Sequence, residues 1–289
     1  MLSPVDFIRD LFNPLLSFLP RALIVAILAA VICGIIGTHV VLRGMAFIGD
    51  AVAHSVFPGL AVAFVLQGSL IVGGLTAGAI TALLVALFSQ NRRIKEDTVI
   101  GIFFAAAFAL GLVVMSLSPS YSGSLQSFLF GSITGVSMHD ILVVAVAGTV
   151  VVALTLIFNK ELVAVSLDRE MARVMRLPVL ALDILLYFMV TIAVVMSIHT
   201  IGNILVLALL VTPAATARLL TDRLAPMMGM AAGIGATSAL LGVYLSWSLN
   251  IPTGATIVLV ATVIFLVTWI LAPKHGILAG RRKQVLSPA

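Results

Sequence analysis

Apolar segments long enough to cross a lipid bilayer recur between residues 21 and 272, and they restrict this chain to the membrane. Hydrophobic residues make up 62% of the 289 residues, charged residues make up 9%, and the mean hydropathy is +1.25. At about 20 residues per crossing, a chain of this length holds eight or nine spans and little else. The sequence therefore predicts an all-α polytopic membrane protein with about eight to nine transmembrane helices.

We predict a transmembrane domain at 21–272, preceded by an N-terminal segment at 1–20 and followed by a basic cytoplasmic tail at 273–289. The second span contains proline and glycine, which are tolerated at membrane depth where other helices or a cavity satisfy the freed backbone groups. An eight-span arrangement with a re-entrant second element therefore remains an alternative. The nine-span prediction comprises 21–42, 45–67, 69–89, 98–118, 139–158, 179–198, 201–217, 226–248 and 254–272.

The connecting loops alternate between basic and uncharged. Loops 119–138, 198–203 and 248–253 contain no lysine or arginine. The positive-inside rule assigns the basic loops to the cytoplasm, and the odd number of spans before loop 89–97 then places the N-terminus outside. This arrangement explains the formal charge of +5 without a nucleic-acid partner. The basic residues of the predicted cytoplasmic loops and of the tail are Arg92, Arg93, Lys95, Lys160, Arg169, Arg173, Arg176, Arg218, Arg223, Lys274, Arg281, Arg282 and Lys283.

Asp50 and His54 form the most informative polar pair, four residues apart inside the second span. This spacing places both side chains on one helix face, with Cβ atoms about 5–6 Å apart. Ionisable groups at membrane depth are costly and usually line a cavity or a substrate path. Carboxylate oxygen and imidazole nitrogen are also suitable ligands for a divalent transition metal. The pair predicts a metal or ion path, and the alternative is a structural pair that holds neighbouring helices together.

The remaining histidines and the cysteine are weaker candidates. His199 lies in an uncharged outer turn beside Thr200 and Gly202, where it would contact an ion entry path or cap a helix. The single cysteine, Cys33, lies in an apolar run, so the sequence predicts neither a disulfide nor a cysteine metal site.

Glycines at small-xxx-small spacing favour close approach of helix backbones, as is common in membrane proteins. The closely spaced glycine pairs are Gly34 with Gly37, Gly74 with Gly78, and Gly229 with Gly233.

Nucleotide-binding and catalytic motifs are missing from the sequence. It contains no G-x-x-x-x-G-K-[ST] phosphate loop, no H-E-x-x-H and no G-x-S-x-G. We therefore expect no enzymatic activity of its own, and energy for transport would come from a partner or a coupled ion.

Two cytoplasmic segments have the composition of partner-binding helices. Segment 166–178 is amphipathic, and segment 212–226 combines a proline and a run of small residues with charged residues. The alternative for both is a helix that lies on the membrane surface. The apolar side of the first comprises Leu167, Met171, Val174 and Met175; the second contains Pro213, Ala214, Ala215, Arg218, Asp222 and Arg223.

Several stretches, in this order, resemble the permease subunits of bacterial ATP-binding cassette (ABC) transporters for zinc, manganese and iron, the ABC-3 family. The resemblance spans roughly residues 20–272, and the joint occurrence of its parts makes it specific. Those parts are Gly49–Phe64 (GDAVAHSVFPGLAVAF), Glu96–Gly111 (EDTVIGIFFAAAFALG), Phe128–Asp140 (FLFGSITGVSMHD), Asp168–Leu177, Ile201–Leu224 (IGNILVLALLVTPAATARLLTDRL) and Pro252–Ala261 (PTGATIVLVA).

The resemblance implies a fold like that of type II ABC importer permeases, and it implies partners. Two permease subunits would pair, as a homo- or heterodimer, around a central path. Cytoplasmic ATPase subunits would lie below them, and an external metal-binding protein or lipoprotein would lie above. Asp50 and His54 match the family's D-x-x-x-H, which is associated with metal in the path. Segment 213–223 corresponds to the loop that docks on the ATPase.

The function expected from the sequence is therefore that of a multi-pass permease subunit in the bacterial cytoplasmic membrane. It would import manganese, zinc or iron, with the metal as transported substrate and no permanently bound cofactor. Two alternatives are a permease for a metal chelate and a membrane-embedded enzyme that uses Asp50 and His54 as its metal site.

Overall fold

A computed structural model describes residues 3–45, 47–90, 94–116 and 135–272, except the side chains of residues 115, 199–201, 203 and 204. The predicted tail at 273–289 lies outside the described residues. The helices are α1 (Pro4–Leu11), α2 (Phe18–Leu42), α3 (Ile48–Ser55), α4 (Phe57–Val65), α5 (Leu70–Phe88), α6 (Glu96–Ser116), α7 (Met138–Ile157), α8 (Asn159–Leu167), α9 (Arg169–Val174), α10 (Val179–Ile201), α11 (Asn203–Leu220), α12 (Leu224–Leu249) and α13 (Thr253–Leu271).

The predicted all-α membrane fold is confirmed, and the described residues contain no strand. Within the described residues, eight helical segments are long and apolar enough to cross a membrane, with α3 and α4 together forming one of them. Helix α11 supplies a shorter ninth apolar segment, joined to α10 through Gly202, whose φ of 85° suits glycine. The nine predicted spans agree with these helices to within a few residues.

The second span is broken but crosses the bundle completely. Helix α3 ends at Ser55, and α4 begins at Phe57 with Pro58 in its first turn, where the missing N–H of proline is tolerated. Helices α4 and α5 run antiparallel in close contact: a Cβ on Gly59 would overlap the Gly73 carbonyl, and a Cβ on Gly78 would lie 3.3 Å from Val56. The predicted break is confirmed, and the re-entrant alternative is wrong.

The N-terminal segment forms a short amphipathic helix against the end of α12. A capping box between Ser3 and Asp6 starts α1. Phe7 meets Tyr244 edge-on at a ring distance of 5.3 Å, and the Trp247 indole donates a hydrogen bond of 2.9 Å to the Asp10 carboxylate. These contacts hold α1 to the bundle.

Helix α2 is the central helix and packs against α7, α10, α11 and α12. Its glycines permit this packing: a Cβ on Gly34 would lie 2.8 Å from the Ala231 carbonyl oxygen, and a Cβ on Gly37 would overlap the Leu210 carbonyl. The predicted close packing at these positions is confirmed. By contrast, a Cβ on Gly229 or Gly233 would meet no described atom within 4 Å, so these two glycines serve no such packing within the described chain.

A network of ion pairs joins five elements at one end of the bundle. Asp183, fully buried in the second turn of α10, accepts a 2.6 Å bond from Arg43 after α2 and a further bond from Arg169 of α9. Arg169 also pairs with Glu96 of α6 at 2.5 Å and donates to the Ser89 carbonyl after α5. The basic residues here assign this end to the cytoplasm, and α1 lies at the opposite, outer end.

We expect Gly37→Ala to destabilise the protein and Gly233→Ala to leave it unchanged. The methyl group at position 37 overlaps the α11 backbone, and overpacking of a tight contact costs about 1–3 kcal/mol. At position 233 the added methyl group meets open space. The measurement is the thermal unfolding midpoint of each purified variant in detergent. Equal midpoints would contradict the tight α2–α11 contact.

We expect Asp183→Asn to destabilise the protein by about 3 kcal/mol or more, because loss of one partner leaves a buried charge uncompensated. The Arg43 side chain is only 4% exposed and has little access to water. Glu170→Gln is the matched control, because it removes a solvent-exposed pair with Arg173, and such pairs contribute about 0–1 kcal/mol. Unfolding midpoints in detergent compare the two variants. A midpoint for Asp183→Asn as high as the control's would show that the network is dispensable.

Candidate functional site

The candidate site lies on α3, one turn before the break in the second span. Asp50 occupies the first turn of α3 and His54 its last turn. A carboxylate near a helix N-terminus matches the helix dipole, so the position of Asp50 agrees with a helix that begins here.

The two side chains are in contact, as their spacing predicts. The His54 Nδ1–H donates to the Asp50 backbone carbonyl at 2.9 Å and lies 3.3 Å from Asp50 Oδ1. A carbonyl oxygen can only accept, so Nδ1 must carry the hydrogen of the neutral ring. The lone pair of the neutral imidazole is then on Nε2, and the other nitrogen's hydrogen bond fixes this tautomer. In this geometry Nδ1 faces Asp50, and Nε2 is the nitrogen left to accept a metal ion.

Two phenylalanines of α6 hold the imidazole ring. Phe104 and Phe108 meet the His54 ring edge-on, at centroid distances of 5.3 and 5.4 Å. Edge-to-face contacts of this kind are favourable and orient the rings. The ring of His54 is therefore held both by α3 and by α6, and water has limited access to one side of it.

The site is open on the surface of the single chain. The Asp50 side chain is 36% exposed and that of His54 is 23% exposed. The adjacent face of α6 carries exposed small residues, Gly101, Ala105 and Ala109. Beyond the break, Pro58 and Gly59 line a groove of about 470 Å³ between α4 and α5. Neither Asp50 nor His54 lines this groove, so the surface next to the pair is the exposed face of α6.

Two side chains of the types that bind divalent metals, Asp50 and His54, lie together at this site. Among the described residues, no group of three or more histidine, cysteine, aspartate or glutamate side chains is arranged to hold a metal ion. The predicted residue His199 lies near the outer end of α10, and its side chain is outside the described part of the structure. Its assignment to an ion entry path stays a prediction.

The segment predicted to bind an ATPase divides into a buried and an exposed part. Residues 213–220 form the last part of α11, and the rest of the segment follows that helix. Pro213 and Ala214 are buried and Ala215 is half-buried, so the first two residues cannot contact a partner without rearrangement. Ala214 packs with Ala217, Met227 and Ala231.

The exposed part of this segment lies at the cytoplasmic end. Arg218 and Asp222 form a surface pair at 3.6 Å, with side chains 45% and 51% exposed. Arg223 is also exposed and precedes α12. These three charged residues are the accessible part of the predicted docking segment.

The sequence analysis missed the buried carboxylate of Asp183 and its arginine partners. Asp183 interrupts an apolar span, and an ionisable residue inside such a span predicts a pairing or functional role. Its partners Arg43 and Arg169 lie 140 and 14 residues away in the chain. No spacing rule links residues across such distances, so only the tertiary structure identifies them.

Comparisons with known proteins agree with this architecture. The chain is 40% identical over 270 residues to a manganese transport system membrane protein, MntC, of Listeria monocytogenes, which covers 93% of this chain and 96% of the relative. It is 37% identical over 270 residues to a chelated iron transport system membrane protein, YfeC, of Yersinia pestis, with 93% and 92% covered.

Among solved structures, the chain resembles PsaBC from Streptococcus pneumoniae, solved in complex with a Fab. The TM-score is 0.83 at 34% identity, with 96% of this chain and 100% of the other covered. A metal-chelate type ABC transporter in an inward-facing conformation gives a TM-score of 0.68 at 22% identity, with 89% of both chains covered, which shows a shared fold alone. Residues 16–272 match the ABC 3 transport family, and the chain belongs to this family of multi-pass permeases of the bacterial inner membrane.

Proposed function

We propose that this chain is the membrane permease subunit of an ABC importer for a divalent transition metal, with Asp50 and His54 as ligands in the path. The observation that carries the proposal is the contact between the His54 imidazole and Asp50, which brings a nitrogen-bearing and a carboxylate side chain together within a membrane span. Relatives named for manganese or iron transport favour these two metals. Zinc, which prefers the same kinds of ligand, is the third candidate.

The ligand set suits a transported ion. The Asp50 carboxylate supplies negative charge, which offsets part of the cost of moving a dication away from water. The neutral nitrogen of His54 favours first-row transition metals over magnesium and calcium. A transport site must also release its ion, so a small number of ligands is appropriate.

A second permease subunit would complete the site. Two ligands are few for a divalent transition metal, and four would be available if the sites of two subunits met at a common axis. The exposed face of α6 supports such pairing, because Gly101, Ala105 and Ala109 would allow another helix to approach closely. Since α6 holds His54 through Phe104 and Phe108, a partner on this face would lie next to the ligands.

The energy for transport would come from separate ATPase subunits in the cytoplasm. The sequence lacks a phosphate loop, and the exposed charges of Arg218, Asp222 and Arg223 lie at the cytoplasmic end. An external metal-binding protein or lipoprotein would deliver the ion at the opposite end, which makes import the direction of transport.

Two alternatives have less support. A permease for a metal chelate is favoured by one relative's name, but a chelate would not require Asp50 and His54 as direct ligands. A membrane-embedded metal enzyme would need further polar groups beside this pair. The described residues around it are largely apolar, with Phe104 and Phe108 against the imidazole.

We expect Asp50→Asn and His54→Gln each to lower metal uptake at least about 100-fold, because each variant keeps side-chain size but weakens a direct metal ligand. Uptake of radioactive manganese and of iron is measured in a strain that lacks other importers. Expression and association with the ATPase should remain normal. Asp6→Asn, the same chemical change on exposed α1, is the control and should transport normally. Near-normal uptake by both site variants would leave Asp50 and His54 as a structural pair.

We expect Arg218→Glu to abolish coupling between ATP hydrolysis and transport while membrane insertion stays intact. The change reverses a charge at the proposed docking surface, and juxtaposed like charges cost several kcal/mol. Co-purification of the ATPase and ATP hydrolysis in proteoliposomes measure the effect, with Arg218→Lys as the charge-conserving control. Fully coupled transport by Arg218→Glu would remove Arg218 from the docking surface.

A further inference from the structure

We propose that Phe47 forms a hydrophobic constriction of the metal path on the cytoplasmic side of Asp50. Its ring and the corresponding side chain of a second permease subunit would separate the ion from the cytoplasm until transport proceeds. The inference deepens the proposed function and rests on it, because it requires an ion at Asp50 and a path between two subunits.

Phe47 shares a helix face with Asp50 and His54. Its φ of −84° and ψ of −6° are helical, and its carbonyl accepts a 2.9 Å hydrogen bond from the N–H of Ala51. Phe47 therefore continues the geometry of α3 by one residue. Asp50 and His54 follow it by three and seven residues, which places all three side chains on one face. At about 1.5 Å per residue, Phe47 lies about 4.5 Å from Asp50 along the helix axis.

The first turn of α3 lies one helical turn inside the cytoplasmic ion-pair network. It lines a small internal cavity together with residues of α5, α6 and α10. Three of those residues lie four positions further into the membrane than a residue that takes part in the network. These pairs are Val85 with Ser89, Ile100 with Glu96, and Tyr187 with Asp183. The beginning of α3 is thus its cytoplasmic end, and an ion that leaves Asp50 for the cytoplasm would pass the ring of Phe47.

The face that carries Phe47 belongs to the path and not to the lipid surface. The Phe47 side chain is 65% exposed, and an exposed phenylalanine in a membrane span would ordinarily contact lipid. This phenylalanine shares its face with the carboxylate of Asp50, which is 36% exposed. A charged side chain at membrane depth is costly in hydrocarbon and faces the protein interior or a water-filled cavity. The ring of Phe47 therefore borders the same space as the carboxylate.

An apolar ring beside a charged ligand is suited to closing a path for ions. Hydrophobic constrictions stop ions because water leaves a narrow apolar passage, and a dication cannot enter without its water or replacement ligands. Asp50 and His54 would offer such ligands, whereas Phe47 offers none. The ion would consequently be held at the pair while the rings of the two subunits meet below it.

The neighbours of Phe47 connect it to the ion-pair network. Met45 and Ile48 are 0% and 2% exposed, so the chain is anchored in the bundle close to either side of the exposed ring. Arg43, two residues before Met45, belongs to the network. Gly44 has a φ of 70°, which favours glycine, and a Cβ there would meet no described atom within 4 Å. Rearrangement of the ion pairs by the ATPase would therefore displace this short connection and move the ring.

Access of a charged thiol reagent to position 50 tests the constriction. Asp50→Cys is prepared with its ATPase in inside-out membrane vesicles, without nucleotide, and combined in turn with Phe47, Phe47→Leu and Phe47→Ala. The native Cys33 is buried and does not interfere. We expect a cationic methanethiosulfonate to react slowly with Phe47 or Phe47→Leu and at least about tenfold faster with Phe47→Ala, because only alanine leaves the passage wide enough for water. Ile157→Ala, which truncates a 68% exposed residue of α7, is the matched control and should leave the rate unchanged.

The outcomes separate this proposal from the proposed function. Fast labelling in the presence of Phe47 would overturn the constriction and leave Asp50 in an accessible path. Equally slow labelling with Phe47→Ala would also overturn it, and the same reagent is then applied to right-side-out vesicles. Labelling from the outer side would keep Asp50 in the path, whereas its absence from both sides would contradict the proposed function as well.

The number of manganese ions imported per ATP hydrolysed in proteoliposomes provides a second measurement. We expect Phe47→Ala to lower this ratio at least about tenfold, because an ion at an open constriction can move without the ATPase. Phe47→Leu should restore the ratio. ATP hydrolysis and the unfolding midpoint should stay normal in both variants, since the Phe47 ring is largely exposed within the chain. A normal ratio with Phe47→Ala, or a loss of ATP hydrolysis and folding together, would contradict a gating role.

Discussion

The buried carboxylate of Asp183 is the interaction on which the arrangement of the helices depends. It has no exposure to solvent and holds the arginines that follow α2 and begin α9. An unpaired charge in a low-dielectric interior is costly, whereas two opposite charges attract each other strongly there. Helix arrangements that separate Asp183 from its arginines are therefore much less stable than this one. Arg43 lies five residues before α3, so the network holds the chain just ahead of the helix that carries Asp50 and His54. The position of Asp50 and His54 thus depends in part on the ion pairs of Asp183, in which neither residue takes part.

Local and tertiary forces build the site in separate steps. The helix spacing alone brings Asp50 and His54 together and places a hydrogen on Nδ1 of the imidazole. Contact with α6 then orients the ring through Phe104 and Phe108. The break before Pro58 ends α3 just after His54, so Asp50 and His54 lie on a short helix. The pair is held on one side by α6 and is accessible on the other.

The cytoplasmic end combines rigid attachment with exposed surface. The ion pairs attach α8 and α9 to the bundle, while the charged side chains of Arg218 and Asp222 remain exposed. The end of α2 connects both regions, since Leu42 and Arg43 face different neighbours. A partner that binds here would act on α2 and α10, and these two helices pack directly against each other.

The sequence by itself determined the membrane class, the spans, the cytoplasmic side and the Asp50–His54 pair. Each depends on composition or on residues within one helical turn, where geometry follows from chain connectivity. The break at Pro58 was also visible, but only packing of α4 along α5 through Gly59 and Gly73 decided that the span crosses the bundle.

Other features needed the tertiary structure, because they join residues far apart in the chain. The pairing of Arg43 with Asp183 spans 140 residues, and the contacts of His54 with α6 depend on how two helices cross. The burial of Pro213 and Ala214 also needed the tertiary structure. Their small side chains are compatible both with an exposed docking loop and with a tightly packed helix. Packing of α11 in the bundle buries them. Proximity in the sequence specifies local geometry, whereas the enclosure of a charge or a small side chain is decided by the helices that surround it.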